Sequence, residues 1–291
     1  MLVTMKEILD KAQEGNYAVP APNVLYELET RAVLELAEEL NSPLILDVFP
    51  FVGPEIIRLA KIASVPVAVN LDHGRDFPSI IKTITKGVSS VMIDRSTLPY
   101  EKNVQEVKEM VKIAHAAGIS VEAELGHVGQ GSNYDIDGKT ALTDVAEAVR
   151  FVEETGVDAL AIAIGTAHGV YSGTPHIDLE RLTEIDKAVN VPLVLHGGSG
   201  TGFENISKAC KMGINKVNVN TDLQYGALER LKKHVGDNDP MGFQMSIADG
   251  YRDVLQNYME ACGCIGKAWI TNDNSSVKKE NGLPRFRKPS K

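Results

Sequence analysis

Cysteine is scarce in this chain of 291 residues, which holds three: Cys210, Cys262 and Cys264. Three thiols cannot build a disulfide framework, and the Cys-Gly-Cys pair lacks the two-residue gap of a redox or zinc motif. They read as structural thiols in a reducing compartment. Positive charge is also in deficit: the formal net charge is -9 at pH 7, which argues against a nucleic-acid-binding surface. No apolar run approaches the roughly 18 residues needed to span a bilayer. The opening MLVTMKEILDKAQEG is an amphipathic helical pattern with acidic residues rather than the long apolar stretch of a leader. The expectation is a cytoplasmic protein with neither a nucleic acid nor a membrane as partner.

Glycine is missing where one fold class would need it. A doubly wound dinucleotide-binding sheet carries a glycine-rich turn after its first strand, and the segment here reads PAPNVLYELET. What the chain does have is alternation. Eight short β-rich runs, at 17–23, 43–48, 66–71, 90–93, 120–125, 159–164, 192–195 and 216–219, are separated by stretches such as ELETRAVLELAEEL and NVQEVKEMVKIAHAAG, where apolar residues recur at helical spacing. Eight strands, each followed by a helix, predict an α/β fold, a (β/α)8 TIM barrel with a C-terminal helical extension. Residues 1–268 are expected to form this single domain. Residues 269–291, ending KKENGLPRFRKPSK, are basic, polar and aperiodic, and read as a flexible tail.

In such a barrel the reactive groups gather at the C-terminal tips of the strands. The third run ends NLDHG, giving Asp72 and His73, the sixth leads to His168 in AIGTAHG, and the seventh ends VLHGG, giving His196. The other four histidines, His115, His127, His176 and His234, fall in helices or loops. Three imidazoles converging on one rim, with a fourth position open, are the ligand set of a catalytic zinc site. HGGSGTG and, one strand on, KVNVNTD each precede a helix, so their backbone amides with the Ser199 and Thr221 hydroxyls suit a phosphate. A metal beside a phosphate cradle implies a small phosphorylated substrate. Strict alternation would turn Asp72 away from its neighbour His73, leaving it either to move protons or to orient an imidazole. Glu122 and Glu124 in VEAELG share one face of the fifth run, pointing to the site as a metal position or as support for a ligand.

Through LDHG, SVMID, VEAELG, AIGTAHGVYSG, PLVLHGGSG, KVNVNT and CGCIGKA, in that order, the chain from residue 1 to about 268 resembles the class II, zinc-dependent ketose-bisphosphate aldolases, most closely the tagatose-bisphosphate type. The resemblance implies a lyase with one catalytic zinc on His73, His168 and His196, Asp72 as acid/base at the C4 hydroxyl, and Asn218 beside the enediolate. It implies a dihydroxyacetone-phosphate cradle at Gly169, Ser172, Gly197, Ser199, Asn220 and Thr221. It further implies an alternative metal position at Glu124, a substrate contact at Asn23, a monovalent cation, and a homodimer or homotetramer.

Four departures from the family pattern bear on the substrate. Met241, in DNDPMGF, stands where the family carries the arginine that holds the distal phosphate, and Phe49 stands where a serine is usual. The acidic pair of the loop after the fifth strand aligns with Gly131 and Ser132, leaving Asp135, Asp137 and His127 as its proton carriers. Arg95 replaces a small residue, and is expected either to meet a different terminal anion or to pair with Asp47. The expected reaction is cleavage of a ketose 1-phosphate between C3 and C4 into dihydroxyacetone phosphate and an aldehyde. The distal phosphate is expected to be absent, as in sulfofructose 1-phosphate. The alternatives are an ordinary fructose- or tagatose-1,6-bisphosphate aldolase and a non-catalytic metal-binding barrel.

Overall fold

The computed structural model describes residues 1–133 and 142–269. Its eight parallel strands are β1 Val19–Pro22, β2 Leu44–Val48, β3 Val67–Gly74, β4 Ser90–Ile93, β5 Ser120–Leu125, β6 Ala159–Ile162, β7 Leu193–Leu195 and β8 Ile214–Val219. Hydrogen-bonded neighbours run β1-β8-β7-β6-β5-β4-β3-β2. A parallel bridge between Asn23 and Asp47, with Val24 N donating to Asp47 O at 3.0 Å, draws β1 against β2. The sheet is therefore a nearly closed (β/α)8 TIM barrel, as the alternation predicts. Pro43, Pro66 and Pro192 sit one residue ahead of their strands rather than at the first position. There the missing N–H is harmless, while the carbonyls of Pro66 and Pro192 still accept from Leu44 N and Leu160 N, each at 3.0 Å.

The helices are α1 Met5–Glu14, α2 Glu27–Glu39, α3 Pro54–Ile62, α4 Phe77–Ile84, α5 Tyr100–Ala116, α6 Val145–Thr155, α7 Leu179–Ala188, α8 Phe203–Lys211, α9 Thr221–Lys233 and α10 Pro240–Cys262. The Thr4 side chain accepts from Glu7 N and starts α1, whose Met5, Ile8, Leu9 and Ala12 recur at helical spacing and are buried. Val3 N donates to Val67 O at the start of β3, so this segment covers the N-terminal mouth of the barrel and leaves the C-terminal mouth open. α10 is the expected C-terminal extension. It packs against α9, α2 and α8 through a buried face that includes Tyr251, Leu255, Tyr258 and Met259. A Cβ on Gly250 would lie 2.4 Å from Gly226 O, so α9 and α10 touch backbone to backbone. No helix among the described residues is long and apolar enough to cross a membrane. The proposed tail lies, from residue 270 on, outside the described residues.

β3 differs most from the sequence expectation, because it continues through Asp72 and His73 to Gly74. Its pairing with β4 runs from Leu71↔Val91 to Gly74↔Ile93, a register shift that inserts one extra residue. His73 sits in that bulge with φ 46°, a left-handed conformation costly for a non-glycine residue.

Candidate active site and metal centre

The bulge in β3 re-aims His73 so that both it and Asp72 line the cavity at the open mouth, against the strict alternation that would turn them apart. His168 follows β6 and His196 follows β7 directly. Nε2 of His73 lies 3.3 Å from Nε2 of His168 and 3.1 Å from Nδ1 of His196, and the last pair is 3.5 Å apart. Three nitrogens each about 2.0–2.1 Å from one ion in tetrahedral array stand roughly 3.4 Å apart. The three imidazoles thus fit a zinc-sized ion without rearrangement, and together they form a candidate metal-ligand group.

The back of two of these rings is held by carboxylates. Asp94, at the tip of β4, lies 2.8 Å from His73 Nδ1, and Glu122 of β5 lies 2.8 Å from His196 Nε2. These contacts leave the opposite nitrogens to face the ion, as expected of ligating histidines. Burial disfavours a protonated His73. The hydrogen bond to Asp94 and the charges of Asp72, Glu124 and Asp94 outweigh it and raise its pKa to about 9. Burial, together with the charges of His196 and His73, takes His168 the other way, down to about 4. Burial also works against ionised Asp94, but its bond to His73 holds the carboxyl well below the usual range.

Glu122 is itself anchored by a buried positive charge. Lys216 of β8, fully buried, places Nζ 2.9 Å from Glu122 Oε2 and 3.3 Å from Asp47 Oδ2. Asn70 Nδ2 donates to Asp47 Oδ1 at 2.8 Å. Asp47, Asn70, Glu122 and Lys216 form a buried polar plug inside the barrel, directly beneath His196. Burial pushes Asp47 up to about 7 against the opposing pull of Lys216. Glu122 is lowered, because Lys216 and His196 more than offset its burial. Charged residues within the buried strands LILDV, SVEAEL and INKVNV are the signal that identifies this plug. Only pairing them across strands shows their partners.

Asp72 accepts from Asn23 Nδ2 at 2.9 Å and from Asn218 Nδ2 at 3.3 Å. Its nearest imidazole contact is 3.8 Å, to His73 Nε2, so it orients no ring by hydrogen bonding. Burial works against its ionisation, but the charges of His73, His196 and Lys216 with the Asn23 bond keep its pKa low. Asn218 Oδ1 is buried without a hydrogen-bond partner. Glu124 Oε1 accepts from Val128 N at 2.9 Å, while its buried Oε2 has no partner. With His73 and Asp94 it makes the second group able to hold a metal ion. His127 lines the cavity, 3.1 Å from Ser96 Oγ. Asp135 and Asp137 lie outside the described residues.

The cavity, of about 250 Å³, is also lined by Gly169, Gly197, Gly198, Ser199, Asn220 and Thr221. Ser199 Oγ accepts from Asn220 N and Asp222 N, both at 3.2 Å, and so ties the loop after β7 to the start of α9. Gly197 has φ 66°, and a Cβ there would lie 2.3 Å from Ala167 O, so any side chain strains this turn and must shift the facing backbone. Three expected site residues are placed elsewhere. Ser172 donates to Gly131 O at 3.1 Å and does not line the cavity. Arg95 binds Glu106 and, at 2.8 Å, Asp94 O, rather than Asp47 or the cavity. Met241, 67% exposed in the first turn of α10, is likewise off the cavity wall. Phe49 is on it.

The sequence model of the family described as Fructose-bisphosphate aldolase class-II matches residues 3–267. The YdjI aldolase from Escherichia coli K12 is 33% identical, with a TM-score of 0.84 over 92% of this chain and 100% of that one. A fructose-bisphosphate aldolase from Campylobacter jejuni is 25% identical, with a TM-score of 0.75 over 91% of this chain and 96% of that one.

Proposed function

The chain belongs to the class II fructose-bisphosphate aldolase family, and from that premise we propose that it is a zinc-dependent lyase acting on a ketose 1-phosphate that carries no phosphate at its other end. It cleaves the C3–C4 bond reversibly into dihydroxyacetone phosphate and an aldehyde. The observation that carries this reading is the shared cavity, where the three-histidine group faces the glycine-bearing loops after β6 and β7 and the start of α9 at Asn220 and Thr221. The absence of a distal phosphate is supported by uncharged Met241, which stands where the family's arginine would be, and by Phe49, an apolar side chain on the cavity wall where a serine is usual. Sulfofructose 1-phosphate is one substrate of this kind.

The residues divide the work by position. His73, His168 and His196 hold the ion, which supplies Lewis-acid polarisation of the ketose carbonyl and stabilises the charge left as C3–C4 breaks. Gly169, Gly197, Ser199, Asn220 and Thr221 hold the C1 phosphate against the first turn of α9, where helix and backbone dipoles favour an anion. Asp72, kept ionised and steadied by Asn23 and Asn218, takes the proton from the C4 hydroxyl during cleavage and returns it in synthesis. The unpartnered Oδ1 of Asn218 accepts from a hydroxyl on the carbonyl side. The assembly proposed is a homodimer or homotetramer, and exposed Val235, just after α9, with Met241 and Phe243, at the start of α10, offers apolar surface for it. Light scattering tests that state.

The reaction is tested by coupling dihydroxyacetone phosphate release to its reduction. Zinc-loaded protein is expected to turn over, chelated protein to be inactive, and added zinc to restore the rate. Undiminished activity after removal of detectable metal contradicts the proposal.

A further inference from the structure

The wall of the cavity contains one guanidinium for which neither the fold nor the chemistry above has a use. Arg75 follows Gly74 at the end of β3 and lines the cavity beside Phe49, Asp72 and His73. Its backbone is fixed on both sides. A Cβ on Gly74 would lie 2.4 Å from Met92 O, so the chain runs tight against β4. The next residue, Asp76, caps α4 by accepting from Ser79 N at 2.8 Å. The side chain itself is exposed, and among the described residues it makes no hydrogen bond or ion pair. Arg95, the other arginine near this rim, is satisfied by Glu106 and the Asp94 carbonyl.

Position gives Arg75 its meaning. In the order of the eight strands β3 stands four places from β7, so Arg75 lies across the barrel mouth from the loop that holds the C1 phosphate. A ketose 1-phosphate seated there, with its carbonyl end over the three histidines, directs its far carbons towards the rim of β2 and β3. Phe49 offers those carbons an apolar wall, stacked at 5.5 Å on Phe51 with the rings 6° from parallel. Arg75 offers them a permanent cation. The same wall carries the carboxylates of Asp72, Asp94 and Glu124. Repulsion from these acids acts twice as strongly on a dianion as on a monoanion, whereas a single planar fork of N–H donors matches the two oxygens of a monoanion.

We propose that Arg75 determines specificity at the distal end of the substrate, receiving a terminal carboxylate or sulfonate carried by the sugar chain. This rests on the ketose 1-phosphate reading and names the other end of the same substrate.

The test uses zinc-loaded protein, its Arg75→Leu and Arg75→Lys variants, and ketose 1-phosphates ending in a carboxylate, a sulfonate, a phosphate or an uncharged hydroxymethyl group. The readout is selectivity, the ratio of kcat/KM for each charged substrate to that for the uncharged one, and the same ratio of affinities by calorimetry. Arg75→Leu is expected to lower the ratio for the carboxylate or the sulfonate by about 10- to 100-fold, the size of a lost charge-assisted pair, with Arg75→Lys falling between. The two arms identify which anion is the natural one. A ratio that Arg75→Leu leaves unchanged for both, or a wild-type preference for the phosphate, overturns the proposal. Loss of turnover on every substrate while calorimetric selectivity still depends on Arg75 removes the aldolase reading and leaves the anion site standing.

Discussion

Asp72 and its neighbour His73 are adjacent in sequence yet are held by different partners, Asp72 by Asn23 and Asn218 and His73 by Asp94. The sequence leaves Asp72 either to move a proton or to steer a ring. The rings are steered by Asp94 and Glu122, while Asp72 is held by two amides. Asp72→Asn is therefore expected to keep zinc at wild-type stoichiometry by elemental analysis and to lose about 10²- to 10⁴-fold in kcat. Zinc lost in step with activity contradicts this. Lys216 gives a second expectation. Lys216→Met strands Asp47 and Glu122 as uncompensated buried acids and should cost about 3–5 kcal/mol in urea unfolding. It should also weaken zinc binding by about 10- to 100-fold in competition with a chelator, because His196 loses its anchored partner. A third concerns pH. Without metal the His73 ring favours its proton up to about pH 9, and an ion must displace that proton to bind. Zinc affinity should therefore strengthen as pH rises from 6 to 9, with protons released on binding, as seen by calorimetry in buffers of different ionisation enthalpy.

At the scale of elements, the strands were legible because each is a short β-rich run set between helical periods. Their ends were not. β6 stops at Ile162 and β1 begins at Val19, inside the runs that composition marks out. β3 overruns its own, because a bulge is a matter of pairing with β4 and carries no local residue signature. That bulge brings Asp72 and His73 to one cavity, so sequence alternation gave the wrong relation for this pair. The loop after β7 was readable from its glycines, and the structure ties one of them to a steric limit. Gly197→Ala is expected to fold, since only the loop is strained, but to weaken binding of inorganic phosphate and ketose 1-phosphate at least about 10-fold by calorimetry. Unchanged affinity places the phosphate elsewhere.

For the whole molecule, eight alternations were enough to specify a barrel, and the barrel specifies that strand tips meet. This is why three histidines up to 123 positions apart could be read as one site. Residues outside the strand tips were harder to place. Arg95, Ser172 and Met241 sit on connections and a helix start whose direction depends on tertiary packing, and all three lie off the cavity. Arg75, one residue past the LDHG stretch, carries no signal in the sequence, because a charged residue leading into a helix is ordinary there, and only the cavity wall distinguishes it. The central claim is that one pole of this barrel mouth holds a phosphate, the three-histidine group holds zinc between, and the other pole does not take a second phosphate. The most direct measurement is kcat/KM of zinc-loaded protein for ketose 1-phosphates that lack a terminal phosphate, set against fructose and tagatose 1,6-bisphosphates, with dihydroxyacetone phosphate as the product followed. Faster cleavage of the singly phosphorylated ketoses is the predicted result, and a clear preference for either bisphosphate would contradict it.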